Sequence, residues 1–351
     1  MWVSLVHSVP NLFDLLALTT CIGTLACLLW VVPCEPKESP MIQTLLIGLR
    51  WLLLACLVVL VLSSAIGLVQ RTAEMSGRPY SKVFSILLAV MLNSHYGQTW
   101  LIRVSALAML WIGWLLGRRN LKSRAVPSFM LVGTVLIALT RSASGHGADA
   151  GDLSVPELMD WFHLLAASLW GGGMVAFTAV IFPTWFRYKE QNVKLIADMA
   201  GRLSTLAGIS LAVVLLTGAY NFWIEVRTFS ALWTTPYGNI LCIKLLLVFV
   251  LIILGASNRY ISIPLLKCLA GYPPSGNGRL QRFMLHYLSR IQRNADGTST
   301  ALHFAHKVIA EVILVVGVLI CAALLIHETP AKHQIRTDHM TLQPHLGHES
   351  N

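Results

Sequence analysis

The chain alternates long apolar runs with short polar stretches in which Lys and Arg collect. A helix rising 1.5 Å per residue needs about 20 mostly apolar residues to cross roughly 30 Å of hydrocarbon. Eight segments meet that requirement: Leu12 to Val32, Leu45 to Val69, Thr99 to Leu116, Pro127 to Ala143, Val155 to Phe182, Leu203 to Trp223, Ile240 to Ile263, and Phe304 to Ile326. A ninth apolar run, Val83 to Leu92, is too short to cross and ends at Asn93, so it is expected to be an interfacial or re-entrant helix. The predicted fold class is all-α, a polytopic integral membrane bundle of eight transmembrane helices.

Basic residues orient the bundle, because short cytoplasmic loops are enriched in Lys and Arg. Arg118, Arg119, Lys122 and Arg124 separate the third and fourth spans, and Arg187, Lys189, Lys194 and Arg202 the fifth and sixth. Arg259, Lys267, Arg279, Arg282, Arg290, Arg293 and Lys307 lie between the seventh and eighth. These connections belong on the cytoplasmic side, which sends both termini to the outer face. An internal repeat is also visible. Tyr96-Gly97 is followed by Leu101 and Arg103, and Tyr237-Gly238 by Leu241 and Lys244, each pair opening an odd-numbered span. Four helices repeated parallel to themselves give a 4+4 organisation: residues 1–143, residues 144–327, and a polar tail over residues 328–351.

Composition agrees with this class. Of 351 residues, 56% are hydrophobic and 12% charged, against about 25% charged in a soluble globular domain. The net charge of +10 is explained by orientation and calls for no nucleic acid. The first apolar run is preceded by no Lys or Arg and has Asp14 at its start, unlike a cleaved signal peptide, so it is expected to remain a helix. The seven cysteines form no CxxC and lie mostly within apolar spans, as packing residues rather than a disulfide framework. No nucleophile constellation, P-loop or dinucleotide fingerprint is present, so no enzyme is expected.

Polar groups inside a membrane are candidate functional sites, and they concentrate at the head of the fifth span. Met159 and His163 share a helical face at i, i+4, and Asp160 nearly joins them at i, i+3. His163 falls about 12 Å along the helix axis from the span's start. His146 stands in the turn just before it, and Met91 and His95 repeat the Met/His spacing ahead of the third span. Thioether and imidazole donors suit Cu(I), whereas Zn would come with Cys or carboxylate in tighter spacing. The predicted metal residues are therefore His163, Met159, Asp160, His146, His95 and Met91. His327, His333, His339, His345 and His348 form an accessory set on the tail. The bland alternatives are packing histidines, filler methionines and a solvated tail. At the other end, His303 and His306 open the eighth span with Glu311 beyond them, either as an exit or proton-linked site or as interfacial histidines with Glu311 paired to a base such as Arg259. Arg103, Arg141 and Lys244 are expected to snorkel to the interface.

These residues resemble the copper resistance protein D family of bacterial inner-membrane proteins. The resemblance rests on Gly145-His146, on His163 through Trp170-Gly171-Gly172, on Thr217-Gly218 with Asn221, and on Tyr237-Gly238 with Lys244. It continues through Gly255-Ala256 with Asn258-Arg259 to Glu311 and Thr329-Pro330. Over the first four spans the best anchor is Tyr96-Gly97 with Trp100 and Arg103. With both termini periplasmic by the charge rule, the resemblance implies copper import or transfer from periplasm to cytoplasm, contributing to copper homeostasis or resistance, with a small periplasmic copper-binding protein as partner. The His-rich tail is not part of that pattern. The competing class is a haem-binding membrane redox protein of b-type cytochrome kind, which requires paired intramembrane histidines at matching depth.

Overall fold

The computed structural model describes residues 2–33, 39–117, 123–144, 151, 153–188, 193–226, 230–272 and 297–326. Eight helices among these residues are long and apolar enough to cross a membrane. They are Ser8–Val31, Pro40–Ser76, His95–Gly117, Ala125–Ser142, Val155–Arg187, Val193–Val226, Pro236–Leu269 and Leu302–Leu325. We call these the first to eighth spans; the chain is a multi-pass membrane protein. Several outrun their apolar windows. The second starts at Pro40, which suits the first helical turn because its missing N–H has no partner to lose. It stops only at Gly77, whose φ of 63° ends a helix at no Cβ cost.

Three spans contain a widened π turn, at Cys27–Val31, Phe177–Ile181 and Asn258–Ser262. Each is followed two residues later by a proline: Pro33, Pro183 and Pro264. Proline has no N–H and its ring presses on the carbonyl four residues back. The turn before it accordingly closes one residue wider, with Val32 N–H bonding Cys27 O at 2.8 Å and the N–H groups of Phe182 and Ile263 bonding Phe177 O and Asn258 O.

The first and fifth spans form the centre of the bundle, with 78% and 61% of their apolar windows buried against 6% for the seventh. They meet through small residues. Thr19 Oγ1 and Ser168 Oγ lie 3.3 Å apart at a sequence separation of 149, and Gly23 faces Gly172 at the same separation. A Cβ on Gly172 would fall 1.8 Å from the Thr19 carbonyl oxygen, so only glycine permits this approach. Around this axis the first span packs on the second and the fifth on the sixth, while the third pairs with the fourth and the seventh with the eighth. Each central span also touches both the fourth and the eighth.

The third and seventh spans begin alike. The short apolar run ahead of the third forms helices Tyr80–Val83 and Leu87–Asn93, neither long enough to cross. Ser94 then turns extended (φ −108°, ψ 150°), and its Oγ accepts from Gly97 N–H at 3.0 Å. Ahead of the seventh, helix Ala231–Thr234 ends at Thr235 (φ −115°, ψ 146°), whose Oγ1 accepts from Gly238 N–H at 3.0 Å. A hydroxyl three residues before the glycine fills an N–H that the helix start leaves open.

Candidate functional site

Ser154, extended, and Pro156 start the helix Val155–Ala176 at the head of the fifth span. Just before it Leu153 adopts a left-handed φ of 53° and donates its N–H to the buried Glu157 carboxylate at 2.6 Å. An acid in the first turn also complements the positive end of the helix dipole. Ser142, closing the fourth span, fastens this turn: its Oγ lies 2.7 Å from the Glu157 carbonyl and 3.1 Å from the Asp160 carboxylate. The helix runs unbroken through Met159, Asp160 and His163, so the predicted spacing holds, and Met159 shares a face with His163.

His163 Nδ1 lies 3.0 Å from Thr217 Oγ1 on the sixth span. The Thr217 hydroxyl donates to the Val213 carbonyl at 2.7 Å, so its oxygen is the acceptor and Nδ1 carries the hydrogen. In the neutral ring that arrangement leaves the lone pair on Nε2, which has no protein partner among the described residues. Gly218 lets the ring lie against the sixth span, since a Cβ there would come 3.2 Å from His163 Cε1. Lys244 on the seventh span stands within electrostatic reach of both His163 and Asp160.

A second polar cluster, which sequence reasoning missed, surrounds Asp14 on the first span. Arg103 and Arg141 were expected to snorkel; instead both turn inward and pair with its carboxylate, Arg141 at 2.6 Å. Ser63 Oγ donates to Asp14 at 2.8 Å and Arg103 Nε to Ser64 Oγ at 2.8 Å. Asp14 is 5% and Arg103 9% exposed. The reason is geometric: a carboxylate on the central span faces guanidiniums from the third and fourth spans, so the buried charges have opposite partners and hydrogen bonds in place of water. The signal in the sequence was an Asp in the first apolar run with Arg in two others, and no pairing could be read without the packing.

The remaining predicted residues divide. Met91 and His95 do not share a helical face, because the extended backbone at Ser94 separates the helix that ends at Asn93 from the one that begins at His95. His95 is exposed. His146 and His327, His333, His339, His345 and His348 lie outside the described residues. Glu311 does not pair with Arg259: its carboxylate accepts from Asn258 Nδ2 at 3.0 Å, while Arg259 donates to the Ser204 carbonyl at 2.7 Å. Among the described residues no three His, Cys, Asp or Glu side chains gather as a metal cage; the Met159 thioether, a donor of another kind, lies one turn before His163 on the same helix. His303 and His306 are exposed at the start of an even-numbered span, the opposite end from His163, so they do not form with it the level pair a haem would need. Cys21, Cys27, Cys56 and Cys321 are buried free thiols, as expected of packing residues.

Comparison with known proteins gives two family matches. The family described as copper resistance protein D matches residues 197–325, and the copper resistance protein D-like N-terminal domain matches residues 10–155. The copper transport protein CutJ of Bacillus subtilis is 30% identical over 120 residues, which is 34% of this chain and 22% of that relative. The chain thus aligns with well under two thirds of CutJ. The inner membrane protein YebZ of Escherichia coli is 22% identical over 209 residues, 59% of this chain and 69% of YebZ. No solved structure matches the chain.

Proposed function

The chain belongs to the copper resistance protein D family, and from that premise we propose that it carries copper across a bacterial inner membrane, from periplasm to cytoplasm. It acts as a transporter rather than an enzyme, and so contributes to copper homeostasis or resistance. The names of its relatives, a copper transport protein and an inner membrane protein, support the cargo and the membrane. The observation that carries the reading is His163, whose Nδ1–H is held by Thr217 so that Nε2 keeps its lone pair, on a helical face that Met159 shares at i, i+4. Imidazole and thioether are donors suited to Cu(I), and a second residue fixing the tautomer is a recurrent property of metal-binding histidines. Asp160 supplies a carboxylate one turn away, and Lys244 balances it.

The two halves read as parallel repeats with the periplasm at the His163 end. Support comes from the Thr19/Ser168 and Gly23/Gly172 contacts at one separation, the matching helix starts at Ser94 and Thr235, and the matching partners of the central spans. Asp14 and His163 stand at that same separation, each bonded to a hydroxyl of the next span, Ser63 and Thr217. Arg103 and Lys244 occupy the same offset from their helix starts. In the first half the carboxylate is closed by an ion pair; in the second an imidazole takes its place and keeps a free lone pair. That difference supports the second half as the copper-binding one. His146 and the five tail histidines serve as accessory donors, and a small periplasmic copper-binding protein is the natural source of the ion. The test is copper bound by the purified full chain, and copper accumulated by cells, for wild type and His163→Ala at equal protein level. Loss of both is expected; unchanged copper content in His163→Ala refutes the site.

A further inference from the structure

At the opposite end from His163, the seventh and eighth spans bury a carboxyl group against a carboxamide. Glu311 is 4% and Asn258 5% exposed. Asn258 Nδ2 donates to Glu311 Oε1 at 3.0 Å, whereas Asn258 Oδ1 is buried with no hydrogen-bond partner. Asn258 also opens the π turn Asn258–Ser262, a widened turn of the kind that recurs at functional sites. Among the described residues no basic nitrogen lies within 4.0 Å of the Glu311 carboxylate. Lys307, on the preceding turn of the same helix, is the charge within electrostatic reach. Its ammonium is taken by Ser257 Oγ at 3.1 Å and Ser262 Oγ at 3.3 Å. Arg259, on the seventh span, is turned to the Ser204 carbonyl, and His303 and His306 are exposed toward the start of the helix.

A carboxylate inside a membrane with one neutral hydrogen bond is costly, and so is an amide oxygen with no donor. One added proton removes the carboxylate charge and supplies an O–H donor that the amide oxygen can accept. The oxygen and nitrogen of an amide exchange places by a half-turn of the side chain. Facing the carboxylate, Asn258 donates N–H; turned over, its Oδ1 accepts only if the carboxyl carries O–H. Asn258 is therefore a partner for both protonation states of Glu311. A metal ion fits less well, since a hard cation wants six or more oxygens and the two nearby serine hydroxyls already hold the Lys307 ammonium.

We propose that Glu311 and Asn258 form a proton-binding site between the seventh and eighth spans, and that the proton taken up and released there is the coupling ion for copper movement. The coupling rests on the copper reading above; the proton site does not. With no P-loop in the sequence, an ion gradient is the available source of drive. The balance is simple: the carboxylate gains one proton from one side of the membrane and loses it to the other, and no bond to copper is made or broken at Glu311.

The experiment uses the full chain in proteoliposomes, with Cu(I) supplied and a pH difference imposed across the bilayer. For linkage of one proton per ion, wild type should change its copper accumulation ratio about tenfold per pH unit. Glu311→Gln should still pass copper down its own gradient but ignore the pH difference. A Glu311→Gln protein that responds like wild type overturns the proposal. Infrared difference spectra on pH titration read the site directly: wild type should show a carboxylic-acid C=O band that is absent in Glu311→Gln and shifted in Asn258→Leu. If wild type moves no copper, the transport reading and the coupling fail while this band still decides the proton site; if no such band titrates, the proton site fails whatever copper does.

Discussion

Replacing Asp14 with Ala removes the shared partner of two buried guanidiniums. Arg103 would lose its ion pair and keep only Ser64, and Arg141 would lose its 2.6 Å contact. Breaking a buried pair by deleting one member costs roughly 3–5 kcal/mol, because the remaining charge is left uncompensated. At about 2–4 °C per kcal/mol for a chain of this order of size, the detergent-solubilised protein should lose roughly 10 °C in Tm. The geometry also predicts a ranking. Arg103→Met should cost less than Asp14→Ala, since Asp14 retains Arg141 and Ser63. The double variant should be less destabilised than the two single effects added together, because residues sharing a partner are not additive. Glu74→Ala removes an exposed pair with Arg71 at 3.2 Å and should change stability by no more than about 1 kcal/mol. Thermal unfolding followed by tryptophan fluorescence measures all four. An Asp14→Ala protein within about 2 °C of wild type, or one no worse than Arg103→Met, would refute the view that this cluster locks the first four spans.

Two further outcomes follow from hydroxyls. Thr217→Val keeps the shape beside His163 but removes the acceptor for Nδ1–H; copper affinity should fall about 10–100-fold with the fold intact, as for other outer partners of metal ligands, and unchanged affinity in competition titrations would detach Thr217 from the site. Ser94→Ala and Thr235→Ala each remove a helix-start hydrogen bond of 3.0 Å and should each cost about 1 kcal/mol. Markedly unequal losses in chemical denaturation would speak against equivalent roles for the two starts.

How much was legible in the sequence varies with the range of the interaction. The eight spans were readable because crossing a bilayer needs only length and apolar composition, both local properties. The Met159/Asp160/His163 face was readable for the same reason, since helical periodicity fixes which neighbours share a side. The Met91/His95 pair failed because one extended residue, Ser94, broke the period between them. The π turns went unread, although Pro33, Pro183 and Pro264 mark them. Arg103 and Arg141 were assigned to the interface because snorkelling is the default for a lone basic residue near a span end; that default lapses when an acid on another helix meets them, and the acid lies far away in sequence.

By itself, then, the sequence determined the medium this protein lives in, the number of its spans and the kinds of donor atom it carries. All three follow from side-chain chemistry and spacing within one helix. The tertiary structure decided which of those atoms meet: Asp14 between two arginines, His163 against Thr217, Glu311 against Asn258. Every one of these pairs joins different spans, and the Gly23/Gly172 approach shows why local rules cannot supply them. Which helices touch, and how closely, depends on where small residues from distant parts of the chain let two backbones come together.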